Sequence, residues 1–297
     1  MIAAVFEWGR GLTRINADWK KWAVGLARVL VVLLVIGSGF SLKRYYIDPA
    51  YSKTRGWREL ATALQRFSVG FPPEQVRLAQ NFPDPTLWYY YQGPVEHLVL
   101  PPAAHDGEGA RKMVAEFQQK NVQRVILPLQ PAPNWDDQAL AATALANAYD
   151  LGKEQTVGVW PVQIYAQRPA QLTPLNGEFQ NGVKLTGRAV QPTTLTPGNL
   201  LVIHLRWEGD AKRLRGTEKV FVQLLNEAGQ LVAQDDRPLA IQTPLAMYGI
   251  LLPESLPAGA YRLITGLYDP GQTGAPRVAT VDGADFVKLS DIQETAK

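Results

Sequence analysis

A chain of 297 residues, 46% hydrophobic and 19% charged, holds one large domain or two ordinary ones around a sizeable core. It has no cysteine, which excludes disulfides, thiolate metal sites and thiol nucleophiles. The net charge of +3 and the pI near 9.0 do not point to nucleic acid. Residues 1–44 carry Arg10, Arg14, Lys20, Lys21, Arg28, Lys43 and Arg44 against Glu7 and Asp18, which leaves the rest of the chain at −2.

After the basic segment 1–21, "WAVGLARVLVVLLVIGSGFSL" at 22–42 meets the length of roughly 20 mostly apolar residues that a bilayer crossing takes. Arg28 lies near its start, where the stem can snorkel to the headgroups. Trp22 marks one interface, and Tyr45 and Tyr46 mark the other. The alternative is a cleaved signal peptide with "GSG" at 37–39 as a poor cleavage site; the length favours an anchor. Basic residues flank both ends, with a mild preference for a cytoplasmic N-terminus. In either case the bulk of the chain lies outside the cytoplasm.

From 51 to 168 helix and strand patterns alternate. "SKTRGWRELATALQRF" puts Trp57, Leu60, Ala61, Leu64 and Phe67 on one helical face, with Ser52 or Thr54 as cap. "VRLAQN" reads as a strand, and "DPTLWYYY" as a short helix with Asp84 as cap and Pro85 at its first position. "HLVLP" is a second strand. A helix near 109–120 follows with Met113, Val114 and Phe117 inward, and then the strand "VQRVILPL". "NWDDQALAATALANAY" is a helix capped by Asn134, with acids in its first turn, before the β-rich "TVGVWPVQIYA". This order predicts a small, mostly parallel α/β sheet.

The Pro-rich stretch at 168–176 forms a boundary. Beyond it, from 177 to 290, "VKLTGRAV", "LLVIHLRWEG", "KVFVQLLN", "QLVAQDD", "AYRLITGLYD" and "FVKLS" are short alternating segments between Gly, Pro and Asn turns. "NEAG" at 226–229 is a hairpin turn, and the whole predicts an antiparallel β-sandwich.

Several residues invite chemistry. Asp235 and Asp236 stand where a hairpin strand runs out into a loop, and neighbouring strand residues point to opposite faces, so the two would not converge on one ligand. "DGEGARKM" at 106–113 opens a helix but lacks the third glycine and the distal acid of a dinucleotide loop. His97, His105 and His204 have no metal-ligand spacing, and no G-x-S-x-G elbow occurs. Four successive aromatic side chains, Trp88, Tyr89, Tyr90 and Tyr91, cannot all enter one core from a short helix. Those left outside would stack on sugars or settle at a membrane interface, although Trp88 and Tyr91, three apart, fit a core pair. On the sandwich, Trp207 and Tyr248 are the candidate glycan contacts.

The series Pro197, Gly198, Trp207, Phe221, Leu224, Gly229, Asp235, Pro238, Gly259, Tyr261, Gly266, Tyr268 and Asp269 resembles a β-sandwich at the C-terminal end of bacterial membrane glycosyltransferases. Those are multi-pass enzymes similar to the dolichyl-phosphate-mannose protein mannosyltransferases. "RGWRELATAL … FPDPTLWYYYQGP … LVLPP" is similar to the extracytoplasmic region after their last membrane helix. One departure is a shortened segment between 243–244 and "LLPESLPAG". The resemblance implies the non-catalytic tail of such an enzyme. The family's catalytic acid lies in a first extracytoplasmic loop that residues 1–21 cannot supply, and Asp18 is not its counterpart. It implies no catalytic residue, cofactor or metal. The implied partners are a multi-pass glycosyltransferase core or another envelope protein, the lipid bilayer, and a glycan, with no nucleic acid. The alternative is an independent carbohydrate- or protein-binding sandwich on the cell surface.

Overall fold

The computed structural model describes residues 2–47, 56–243 and 245–293. The chain divides into two compact units, Met1–Gly56 and Trp57–Lys297. The first contains helix α1 (Ile2–Ile47). Its stretch Leu26–Ile47, 22 residues at a mean hydropathy of 1.9, is long and apolar enough to cross a membrane. This stretch begins four residues beyond the expected start. At 1.5 Å per residue it measures roughly 33 Å, against roughly 30 Å of hydrocarbon. Its Val, Leu and Ile side chains are all exposed. The proposed caps Ser52 and Thr54 fall outside the described residues.

The second unit opens with α2 (Trp57–Ser68), whose buried face is Trp57, Leu60, Ala61, Leu64 and Phe67 together with Ala63. Then follow β1 (Val76–Gln80), α3 (Pro85–Tyr90), β2 (Glu96–Val99), α4 (Gly107–Gln119), β3 (Arg124–Pro128), α5 (Leu140–Ala148), β4 (Tyr149–Val157) and β5 (Trp160–Gln167). The Asp84 carboxylate accepts the Thr86 N–H at 2.8 Å and so fixes the start of α3. The five strands lie in the order β2-β1-β3-β5-β4. The sheet is mixed, not mostly parallel. Only β2-β1 and β1-β3 are parallel, while β3-β5 and β5-β4 are antiparallel. The cause is a hairpin: Gly158, at φ +61°, turns β4 directly back into β5 with no crossover helix.

Helix α5 also begins later than "NWDD" suggests. Its cap contacts come from Asp136, whose Oδ1 accepts the N–H groups of Leu140 and Ala141, and Asn134 plays no such part. Residues 132–136 form turns first, with Trp135 and Asp136 N–H groups bonded back to the Ala132 carbonyl.

The remaining strands are β6 (Thr173–Glu178), β7 (Lys184–Gln191), β8 (Leu200–Glu208), β9 (Lys219–Leu225), β10 (Leu231–Pro238), β11 (Leu245–Leu251), β12 (Ala260–Tyr268), β13 (Arg277–Val278) and β14 (Val287–Gln293). They make two antiparallel sheets, β11-β8-β7-β6 and β10-β9-β12, the latter extended by β13 and β14 on β12. The sheets pack face to face, sandwich-like, over a core that includes Leu201, Ile203, Leu205, Trp207, Val222, Leu224, Leu263 and Leu267.

Strand β8 is buried on both faces. Leu201, Ile203 and Leu205 enter the sandwich core, whereas Leu200 and Val202 enter a second core with α2, Val162 and Ile164. Three contacts fasten this seam. Arg124, fully buried, donates to the carbonyls of Phe67 (2.8 Å) and Leu200 (2.7 Å) and to Asn199 Oδ1 (2.7 Å), and lies over the Phe71 ring. Burial pushes its guanidinium down to about 9, still charged at neutral pH. His204 Nε2 meets Asp150 Oδ2 at 3.2 Å from the other layer. Backbone approaches backbone where Gly249 of β11 faces Gly152 of β4: a Cβ built on Gly249 would lie 2.2 Å from the Gly152 carbonyl oxygen.

Candidate functional site

The paired acids sit inside a strand, not at a loop entry: β10 stays in register past them, with Arg237 opposite Val220 and Pro238 opposite Lys219. They face apart, as strand alternation requires. Asp235 Oδ2 accepts Arg237 Nε and the Gly249 N–H, both at 2.9 Å, and so joins β10 to β11, edge strands of the two sheets. Asp236 is exposed and accepts the Tyr268 hydroxyl at 3.1 Å. Both carboxylates are engaged in fastening strands. Nothing brings them together on a ligand.

The aromatic run divides between core and surface. Tyr91 is buried beside α2, while Trp88 and Tyr89 are 41% and 75% exposed and Tyr90 is half-buried. Trp88 does not join Tyr91 in the core. Its ring lies on the His97 imidazole at 4.8 Å. Both ring nitrogens of His97 are buried without a partner, and burial pushes the imidazole down to about 4. Trp88 thus lies on a neutral histidine, and Tyr89 stands exposed edge-on to Tyr90; each exposed ring is able to stack on an apolar or sugar face.

Trp207 and Tyr248 are corrected as contacts. Each is 1% exposed inside the sandwich core, so neither ring can reach a glycan. Burial raises the Tyr248 hydroxyl above its ordinary value. The bulk that suggested a sugar platform serves to fill the space between two sheets.

A third cluster crowns the carboxyl ends of the parallel strands. The strand order turns at β1, between β2 and β3, which is where open α/β sheets gather their loops. Asn81 exchanges two hydrogen bonds with the Gln130 backbone, at 2.9 and 2.8 Å. His105 Nδ1 lies 3.0 Å from Asp137 Oδ1, and the Trp135 indole N–H donates to the Pro101 carbonyl. His105 and Ala139 hold left-handed backbone at φ 58° and 52°. Burial pushes the Asp136 carboxyl up, against the N–H groups of Leu140 and Ala141 and the Asn81 side chain. Sequence reasoning missed the His105–Asp137 pair because its members stand 32 residues apart with no motif between them.

The glycine stretch at 106–113 is closed to phosphate by its own chain. Asp106 caps α4, its Oδ1 accepting the Gly109 N–H at 2.7 Å, so a carboxylate already occupies the position an anion would take. Among the described residues no group of three or more His, Asp and Glu stands close enough to hold a metal ion.

No protein-family model matches the chain, and no curated protein does. Among solved structures, it is similar to a β-glucuronidase of Bifidobacterium dentium at 13% identity and a TM-score of 0.24, over 46% of this chain and 20% of that one. It is similar to an endonuclease/exonuclease/phosphatase of Beutenbergia cavernae at 13% identity and a TM-score of 0.22, over 65% and 61%. A β-D-glucuronidase of Dictyoglomus thermophilum gives 9% identity and 0.20, over 49% and 19%. The chain thus spans about a fifth of the length of these glucuronidases. Likenesses of this size carry no argument about fold or activity.

Proposed function

We propose that this protein is a membrane-anchored extracytoplasmic module of a polyprenyl-phosphate-sugar-dependent glycosyltransferase, non-catalytic by itself. One observation carries the reading: a helix whose stretch Leu26–Ile47 is apolar and fully exposed precedes a compact body whose conspicuous acids are spent on structure. Such a body acts by position and contact, held at the bilayer surface. The positions that match the transferase tail pattern support it through their structural roles. Trp207, Phe221, Leu224 and Tyr261 are core, Gly198 and Gly229 are turns at positive φ, and Asp269 ties Thr217 to the Gly271 and Gln272 turn. The module completes a split enzyme or presents the glycan or acceptor to it.

The test is purification of the full chain from its own membranes in mild detergent. Stoichiometric recovery with a multi-pass transferase is the expected result. A monodisperse chain alone in its micelle, under conditions that keep the transferase active, would refute the reading. The independent sandwich-module reading has lost Trp207 and Tyr248, and the exposed rings of Trp88 and Tyr89 lie on α3, outside the sandwich sheets.

A further inference from the structure

A cleft of about 650 Å³ in the folded body opens between α2, the β4–β5 hairpin and the end of β11. Its volume suits a small organic ligand. On one side stand two arginines, Arg58 and Arg66, a little over two turns and roughly 12 Å apart along α2, so only their long side chains can converge on one ligand. Arg58 is exposed, lies over the Tyr90 ring, and has no carboxylate partner among the described residues. Arg66 is held in place because Gly198, at φ +71°, leaves room for its stem: a Cβ there would lie 3.2 Å from it.

Arg66 is only half used. Glu254 reaches its Nη1 at 2.5 Å, while its Nε is buried with no acceptor. Glu254 comes from the loop beyond β11, and its side chain is 77% exposed, so releasing it into water costs little. A solvated carboxylate thus rests on Arg66 where an anion with more acceptor oxygens would bind better, with Arg58 lining the same cleft. Phosphate has that geometry.

The rest of the lining suits hydroxyl groups. Gln155 and Thr156 offer neutral donors and acceptors, and Glu59 and the Thr62 hydroxyl oxygen, whose proton goes to the Arg58 carbonyl, are acceptors. Val157 and Leu251 supply an aliphatic wall for a C–H face, and no exposed aromatic ring among the lining residues offers a stack for a planar base. We infer that this cleft binds a sugar phosphate, its phosphate on Arg58 and Arg66 and its hydroxyls on the threonine, glutamine and glutamate side chains, with Glu254 swinging out as the ligand enters. The inference stands on the lining alone and does not require the transferase partnership.

Titration calorimetry of the full chain in detergent micelles, with glucose 1-phosphate, inorganic phosphate and glucose as probes, tests it. Glucose 1-phosphate should bind at least about tenfold more tightly than inorganic phosphate, and glucose should give no heat. Glu254→Gln should tighten binding several-fold by removing the competitor. Arg66→Gln should weaken it by about tenfold or more, and so should Arg58→Gln, an exposed change that leaves the fold intact. No heat from glucose 1-phosphate at millimolar concentration, equal affinity for inorganic phosphate, or weaker binding in Glu254→Gln would each overturn the assignment.

Discussion

Asp235 and Asp236 separate two roles that look alike in a sequence. Asp235, 13% exposed, accepts one charge-assisted bond and one backbone bond between sheets. Asp235→Asn should therefore lower stability by about 1.5–3 kcal/mol, the usual worth of a hydrogen bond to a charged group. Asp236→Asn, on the exposed face, should change it by less than about 0.5 kcal/mol. Neither should slow any partner-dependent transfer, and a rate collapse at an unchanged melting temperature would show a catalytic role. The facing-apart of the pair was legible from strand alternation. Their partners Gly249 and Tyr268 were not, because those contacts join distant strands. His97 carries a pH prediction. Its native value near 4 lies below the ordinary 6.5, so the unfolded chain binds the extra proton first. Stability from this group is complete above about 6.5 and is lost as pH falls toward 4. His97→Phe, which keeps a ring against Trp88, should flatten the melting-temperature profile between pH 7 and 4. An unchanged profile would mean the imidazole is not the titrating group.

Among the elements, β8 shows what a sequence conceals in plain view. "LLVIHL" is six buried residues in a row, the mark of a strand covered on both faces, yet its neighbours read as half-exposed sandwich strands. The amphipathic face of α2 and the Asp84-Pro85 start of α3 were legible because each is written in local spacing. The pairing of β4 with β5 and the late start of α5 were not. The first depends on an edge strand finding its place, and the second on Asp136 outcompeting Asn134 for the helix end. The Gly249–Gly152 approach sets how closely β11 can lie on β4. Gly249→Ala should destabilise the body by about 2 kcal/mol or more, since backbone must move to admit a methyl group. Gly152→Ala, whose Cβ would meet Leu200 and the Ile164 carbonyl oxygen at 3.1 and 3.2 Å, should cost less. Equal melting temperatures for the two variants would contradict the close approach.

At the scale of the whole molecule, the chain combines one exposed apolar helix with a body whose layers are pinned together by Arg124, by His204 with Asp150, and by the glycine contact. Around Asp150, burial pushes the carboxyl up, but His204 and Arg168 outweigh it and hold it below the usual carboxylate range. The central claim is that the protein serves a membrane glycosyltransferase from its anchor. It is tested most directly by sugar transfer from a radiolabelled polyprenyl-phosphate sugar in membranes of cells lacking this chain. Transfer should be lost in those membranes, restored by the full chain, and not restored by residues 57–297 added without the helix. Transfer that persists without the chain, or that the detached body restores in full, would contradict the account.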